Sequence, residues 1–431
     1  MYPDLVIEGR ISVSGELEHY SIGIDKDTGE IVAVKKTLSG RRHKDFGERV
    51  ILPGMIDPHV HFRDPGYKEK EDFYSGTLSG SYGGVTTALD MPNTNPPVLD
   101  SESLEEKHRI ARQKACINYG LYASFTDKNL AEATELSKDA VAFKLYLASA
   151  PKDIIFPIKE LPLLESKLSN LNKPLVFHAE DPFCLKSIEE KGLDDHLNAH
   201  PNKAEVSAIE KLLPLSKKHL SIYVAHLSTR EGIELIKKSR ISCGVTPHHL
   251  IFPSSKLYSN QSYFKVNPPL RAEKDCLALS KELSQGSIDC LESDHAPHHL
   301  SEKSKTFNEA PSGIPGVETT LPLMLFQVKQ GNLSLDRLVN AFSRRPAEIF
   351  NLKSKGSVEV GRDADLVAFS FKEIREIKAR DLHSRCGYTP YEGMQGIFPS
   401  EVFLGGEVII SGFEFVGEAG MGKRADERGR Q

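Results

Sequence analysis

Between residues 50 and 297 the chain repeats one pattern eight times: a short, β-rich apolar run, then a longer segment with helical periodicity and a charged outer face. The apolar runs lie near 50–60, 85–91, 117–125, 140–147, 174–179, 221–227, 241–246 and 287–293, and helical spacing marks 104–114, 161–171, 203–215, 230–238 and 274–283. Strands that alternate with helices cannot pair as hairpins; each must cross over through its helix to reach a parallel neighbour.

Eight such units predict an α/β fold, a closed (β/α)8 barrel of the TIM type. In that architecture functional side chains gather where the strands end. The flanks read differently. Residues 4–8, 11–13, 20–24 and 31–34, and again 364–369, 401–404 and 407–410, are short strand-like runs separated by turn residues. Neither flank makes a full sheet alone, so residues 1–50 and 356–431 are expected to form one composite small β-sandwich domain beside a barrel of residues 51–355. A helical stretch over 335–350 would lead back to it, and the polar tail 424–431 is expected to fray.

Composition narrows the function classes. The chain has 431 residues, a formal charge of -5 and no large basic block, which argues against a nucleic-acid partner. No apolar run is long enough to span a bilayer, and the N-terminus lacks a basic segment followed by an apolar one, so a cytoplasmic protein is expected. Six scattered cysteines without a C-x-x-C pair fit reduced thiols.

Ionisable residues fall where the predicted strands end. Asp57-Pro58-His59-Val60-His61 places two imidazoles two residues apart, on one side of an extended strand, where both can reach one cation. Lys144 lies in the apolar fourth run, His178 and His226 end the fifth and sixth, and Asp294 ends the eighth. Each has an ordinary alternative as a packed, ion-paired or capping residue; together they describe a metal site at one rim. Imidazole with carboxylate suits zinc, with manganese, cobalt and iron left open. Burial would hold Lys144 neutral, and a neutral amine can take up carbon dioxide to form a carbamate, an anionic two-oxygen ligand. Arg63, two residues past His61, should point to the same rim by strand alternation. Glu180 could support His178 or cap a helix, His295 should point away from the rim, and His196 and His200, away from strand ends, read as structural or solvated.

These motifs resemble the amidohydrolase superfamily and, within it, the dihydroorotases of the longer, type I-like branch. The resemblance runs through the barrel and both flanks and is carried by His59-Val60-His61-Phe62-Arg63-Asp64-Pro65-Gly66, Asp90-Met91-Pro92-Asn93-Thr94, Lys144, His178-Ala179-Glu180, Ala225-His226, Asn267-Pro268-Pro269-Leu270-Arg271 and Asp294-His295-Ala296-Pro297-His298. It implies two zinc ions per chain, one on His59 and His61, the other on His178 and His226, bridged by N6-carboxylated Lys144. Asp294 would bind the first metal and serve as the catalytic proton shuttle for a bridging hydroxide. Substrate contacts would come from His61, Arg63, Asn93, Asn267 and His298 and from Ser312 and Gly313 of a closing loop over 310–316. Many relatives carry a bulkier residue where Ser312 stands.

The implied reaction is reversible cyclisation of N-carbamoyl-L-aspartate to dihydroorotate and water, in pyrimidine biosynthesis. Closing the ring turns a dianion into a monoanion and consumes a proton, so lower pH should favour it. The resemblance leaves room for a homodimer and for association with aspartate carbamoyltransferase. An allantoinase or hydantoinase would use the same metal core, and a catalytically inactive scaffold would be expected to have lost ligands that this chain retains.

Overall fold

The computed structural model describes residues 2–13, 16–217, 220–256 and 258–426. Its N-terminal strands are β1 (Leu5–Val13), β2 (Glu16–Asp25), β3 (Glu30–Lys35) and β4 (Arg42–Pro53). The barrel strands follow as β5 (Met55–Val60), β6 (Val85–Asp90), β7 (Asn118–Ser124), β8 (Ala142–Tyr146), β9 (Leu175–His178), β10 (Ile222–Val224), β11 (Ser242–Val245) and β12 (Cys290–Leu291). Then come β13 (Leu366–Phe369), the ribbon strands β14 (Arg375–Glu376) and β15 (Gln395–Gly396), and β16 (Glu401–Leu404), β17 (Glu407–Ser411) and β18 (Glu414–Phe415).

β5 to β12 form one parallel sheet in chain order. A parallel bridge between Val60 and His295, with the His61 N–H donating to the His295 carbonyl at 2.8 Å, joins its last edge to its first. That closure brings residues 59–61 beside residue 294. Every residue of β5, β6, β7, β8 and β9 is buried, as expected of strands covered on both faces.

The flanks build a second sheet of eight strands, ordered β18-β17-β16-β13-β4-β1-β2-β3. The two ends of the chain meet where β13 pairs antiparallel with β4, Val367 opposite Leu52. The apolar run near 50–60 thus serves two sheets: β4 ends at Pro53, and the barrel begins at Met55. The runs at 4–8 and 11–13 merge into the single strand β1, which pairs with both β2 and β4. A buried cluster fastens this sheet to the base of the barrel: Lys355 pairs with Asp363 at 2.7 Å and Asp365 at 2.6 Å, and Asp365 also accepts from Asn118 of β7 at 3.0 Å.

Two features depart from expectation. The described part of the tail packs rather than frays: Arg424 bridges to Tyr119 and reaches Asp139 at 3.0 Å, and Ala425 is buried, because residues 423–425 hydrogen-bond to the Tyr119 backbone of β7 at the base of the barrel. The rest of the predicted fray lies outside the described residues. A helix at Phe73–Tyr82 has no amphipathic stripe, since its small residues are buried. A Cβ at Gly76 would lie 2.2 Å from the Phe62 ring, so glycine lets this helix sit against the segment leaving β5. Among the described residues, no helix is long and apolar enough to cross a membrane. All six cysteines are free thiols.

Candidate active site

His59 and His61 sit at the mouth of β5 with ring centroids 5.2 Å apart. Their Nε2 atoms both face one carboxylate oxygen, Asp294 Oδ1, at 3.4 and 3.2 Å. The donor atoms of these three buried residues lie within 4.8 Å of one another, a spacing suited to a cation. On the far side of the mouth, His178 Nδ1 and His226 Nε2 face each other at 3.1 Å, and the His59 and His226 rings are 5.2 Å apart. The four imidazoles and Asp294 therefore form one continuous group.

Lys144, on β8, is buried, and its Nζ has no hydrogen-bond partner. Burial pushes its ammonium down to about 8, although Glu292 and Asp294 pull the other way. Burial and then the Lys144 charge also hold His59 and His226 well below the usual imidazole range. Neutral imidazoles are the form that binds metals. His59 Nδ1 and His226 Nδ1 are likewise buried without a hydrogen-bond partner. The donor set thus fits a divalent cation held by nitrogen and carboxylate oxygen.

Backbone strain concentrates here. Six non-glycine residues have positive φ among those described, and four of them, Arg63, Ser149, His226 and Asp294, belong to this site or its supports.

The supports were only partly legible in the sequence. Glu180 accepts from His178 Nε2 at 2.7 Å, from His200 Nδ1 at 2.9 Å and from Ser149 Oγ at 2.8 Å. Burial raises its carboxyl, but the hydrogen bonds from His178 and His200 prevail and hold it well below the carboxylate range. It orients His178 in the carboxylate–histidine arrangement common at metal sites. His200, read from sequence as structural or solvated, belongs to this network.

Glu292 was missed altogether. It is fully buried below Asp294, accepts from Tyr223 Oη at 2.7 Å and from the His226 backbone N–H, and lies 3.6 Å from His59 Nδ1. The available signal was its position two residues before Asp294 in an apolar run. His295 points away from the mouth, where its Nδ1 accepts from the Gly316 N–H at 3.1 Å. Glu190, His196 and His200 also cluster, but His196 is hydrogen-bonded at both ring nitrogens, to Glu190 and the Val266 carbonyl.

Arg63 reaches the rim by a different route from the one expected. β5 ends at Val60, and Arg63 sits in a turn with φ 62°, so the turn, rather than strand alternation, aims it. Its guanidinium donates to the Pro297 carbonyl at 3.3 Å and lies 3.2 Å from His298 Nε2. Lys70 Nζ donates to His298 Nδ1 at 3.2 Å, which leaves the proton on Nε2 to donate to the Ser312 carbonyl at 3.1 Å. Asn93 Oδ1 meets His61 Nδ1 at 2.7 Å, and Asn267 Oδ1 accepts from Ser312 Oγ at 3.3 Å. Gly313 packs against this rim. Tyr146, two residues after Lys144, has a buried hydroxyl with no hydrogen-bond partner.

The family model described as the amidohydrolase family matches residues 50–409. This chain belongs to the amidohydrolase family. Among similar curated proteins, the dihydroorotase of Methanosarcina acetivorans is 37% identical over 99% of this chain and 97% of its own length. The dihydroorotase of Thermoplasma acidophilum is 35% identical over 97% of each chain. Among solved structures, L-hydantoinase (dihydropyrimidinase) from Arthrobacter aurescens superposes with a TM-score of 0.93 at 28% identity, covering 98% of this chain and 99% of its own. Amidohydrolase membership implies a metal cofactor, and the buried His59, His61 and Asp294 group is suited to hold one.

Proposed function

We propose that this chain is a metal-dependent dihydroorotase, which reversibly closes N-carbamoyl-L-aspartate to (S)-dihydroorotate and water in pyrimidine biosynthesis. The observation that carries this reading is a cationic rim against a metal-type cluster: the Arg63 guanidinium lies 3.2 Å from His298, with Lys70 behind it, and its charge acts on His61. Nearly full-length similarity to dihydroorotases supports it.

Two zinc ions are the cofactor we favour: His59, His61 and Asp294 would hold one, His178 and His226 would hold the other, and a carboxylated Lys144 would supply oxygen ligands to both. When bound, such cations acidify water and polarise a ring carbonyl. Formation of the carbamate joins the neutral Lys144 amine to the carbon of carbon dioxide and releases one N–H proton to solvent. Its buried, unpartnered Nζ is the state that reaction requires.

The chain's own residues do the rest. Arg63 presents a planar fork to the substrate carboxylate, which a point charge would match less well. Asn93 steadies His61 through its oxygen and keeps its amide donor for the ring. Asp294 turns Oδ1 toward both histidines, which leaves Oδ2 to take a proton from the attacking water and deliver it to the leaving nitrogen. Asn267, His298, Ser312 and Gly313 border the same space.

A hydantoinase is the second reading, favoured by the superposition on L-hydantoinase. Purified protein should turn over dihydroorotate in preference to hydantoin and allantoin; clear activity on another ring with none on dihydroorotate would refute the first reading. An inactive scaffold would gain no activity with added zinc. Self-association, docking with aspartate carbamoyltransferase and a cytoplasmic location remain part of the proposal, tested by sizing, co-purification and fractionation.

Arg63→Lys should raise KM for dihydroorotate by about tenfold or more, with a smaller change in kcat, because charge is kept and the fork is lost. Steady-state kinetics would show this, and an unchanged KM would remove Arg63 from substrate binding.

A further inference from the structure

Lys303 ends the short helix Leu300–Lys303 that follows His298, and it is completely buried. It makes no ion pair among the described residues. Nearby charges are already engaged: Lys265 with Glu190 at 3.3 Å, and Glu302 with Lys70 at 2.8 Å. Burial and then the Lys265 charge push the Lys303 ammonium down to about 7. A buried cation without a carboxylate is costly, and an apolar side chain would avoid the cost.

What an apolar side chain could not supply is three convergent donors. Lys303 Nζ donates to the carbonyls of Lys265 at 3.2 Å, Pro311 at 2.9 Å and Gly313 at 2.9 Å. These carbonyls belong to two loops, one leading into Asn267 and the other carrying Ser312. The loops also join directly, through the Gly313 N–H on the Lys265 carbonyl at 2.9 Å and Ser312 Oγ on Asn267 Oδ1 at 3.3 Å. Tyr388 Oη adds a bond to the Gly313 carbonyl at 3.1 Å. Gly313 has φ 133°, and a Cβ there would lie 2.5 Å from the Ala296 carbonyl oxygen, so the loop is pressed against the segment between Asp294 and His298.

We propose that Lys303 is a positioning residue whose ammonium welds the Asn267 loop and the 311–313 loop into one frame, setting the wall against which the substrate ring binds. It touches no reacting atom. The assignment of that wall to substrate rests on the functional reading above; the weld itself does not. Its effect belongs on substrate binding, because the metal-type cluster is held from other elements.

The test is Lys303→Met, which keeps the length and removes every donor, with Lys303→Leu, likewise without a donor, as a second variant should the first not fold. Hydrogen exchange over 311–316 is expected to quicken by about tenfold or more in the folded variant. KM should rise about tenfold with kcat within about twofold, and metal content should be unchanged. Unaltered exchange in a variant of native melting temperature overturns the proposal, as does faster exchange with an unchanged KM. If the wild-type protein opens a ring other than dihydroorotate, the functional reading fails alone; KM is then read on that ring, and the exchange measurement stands.

Discussion

Lys144→Ala is expected to lower turnover by on the order of a thousandfold, about 4 kcal/mol of transition-state stabilisation, and to reduce bound metal by about half. The lysine is completely buried on β8 with no hydrogen-bond partner for its Nζ, so on the proposed reading its value would lie in the carbamate its neutral amine can form rather than in a hydrogen bond it already makes. Alanine leaves room where the bridging carboxylate would lie. Formate, acetate or propionate should restore part of both activity and metal content, since any of them supplies two oxygens there. Melting temperature in the metal-free state should change little, because the cavity left by the buried alkyl chain is offset by removal of a buried amine that no hydrogen bond compensates. Metal analysis and rescue kinetics on one preparation check this. Wild-type turnover in Lys144→Ala would remove a carboxylated lysine from the mechanism.

Asp294→Asn should have a comparable effect through a different cause. Asparagine keeps an oxygen that can face His59 and His61, and it tolerates the left-handed backbone, φ 46°, that residue 294 adopts. It cannot carry the proton. Loss of a positioned general acid and base costs about 10²–10⁴-fold, and ring closure and ring opening should fall together if, as proposed, Asp294 serves both directions. Rates measured in each direction with metal content in parallel would separate proton transfer from metal loss. Retained turnover with full metal would show that another group moves the proton.

Local periodicity carried much of this architecture. The eight apolar runs are the eight barrel strands, in order, because a strand covered on both faces must be continuously apolar wherever it pairs. The helix Phe73–Tyr82 was not legible, since its buried face is serine and glycine and its packing depends on Phe62 meeting Gly76. Arg63 came to the expected rim for an unexpected reason, because strand alternation stops at Val60 and a turn takes over. Glu292 showed no motif of its own and gains meaning only from the Tyr223 hydroxyl and the His226 N–H brought to it.

The sequence by itself determined which residues stand at strand ends and, through a side-chain period of two, that His59 and His61 share a side. Only the tertiary structure decided which atoms meet: His61 with Asp294 across the closed barrel, Glu180 joining His178 to His200, and Lys303 clasping two loops. Periodicity is a property of neighbours in the chain, whereas these contacts depend on closure between segments far apart in sequence and on hydrogen-bond partners that burial makes obligatory.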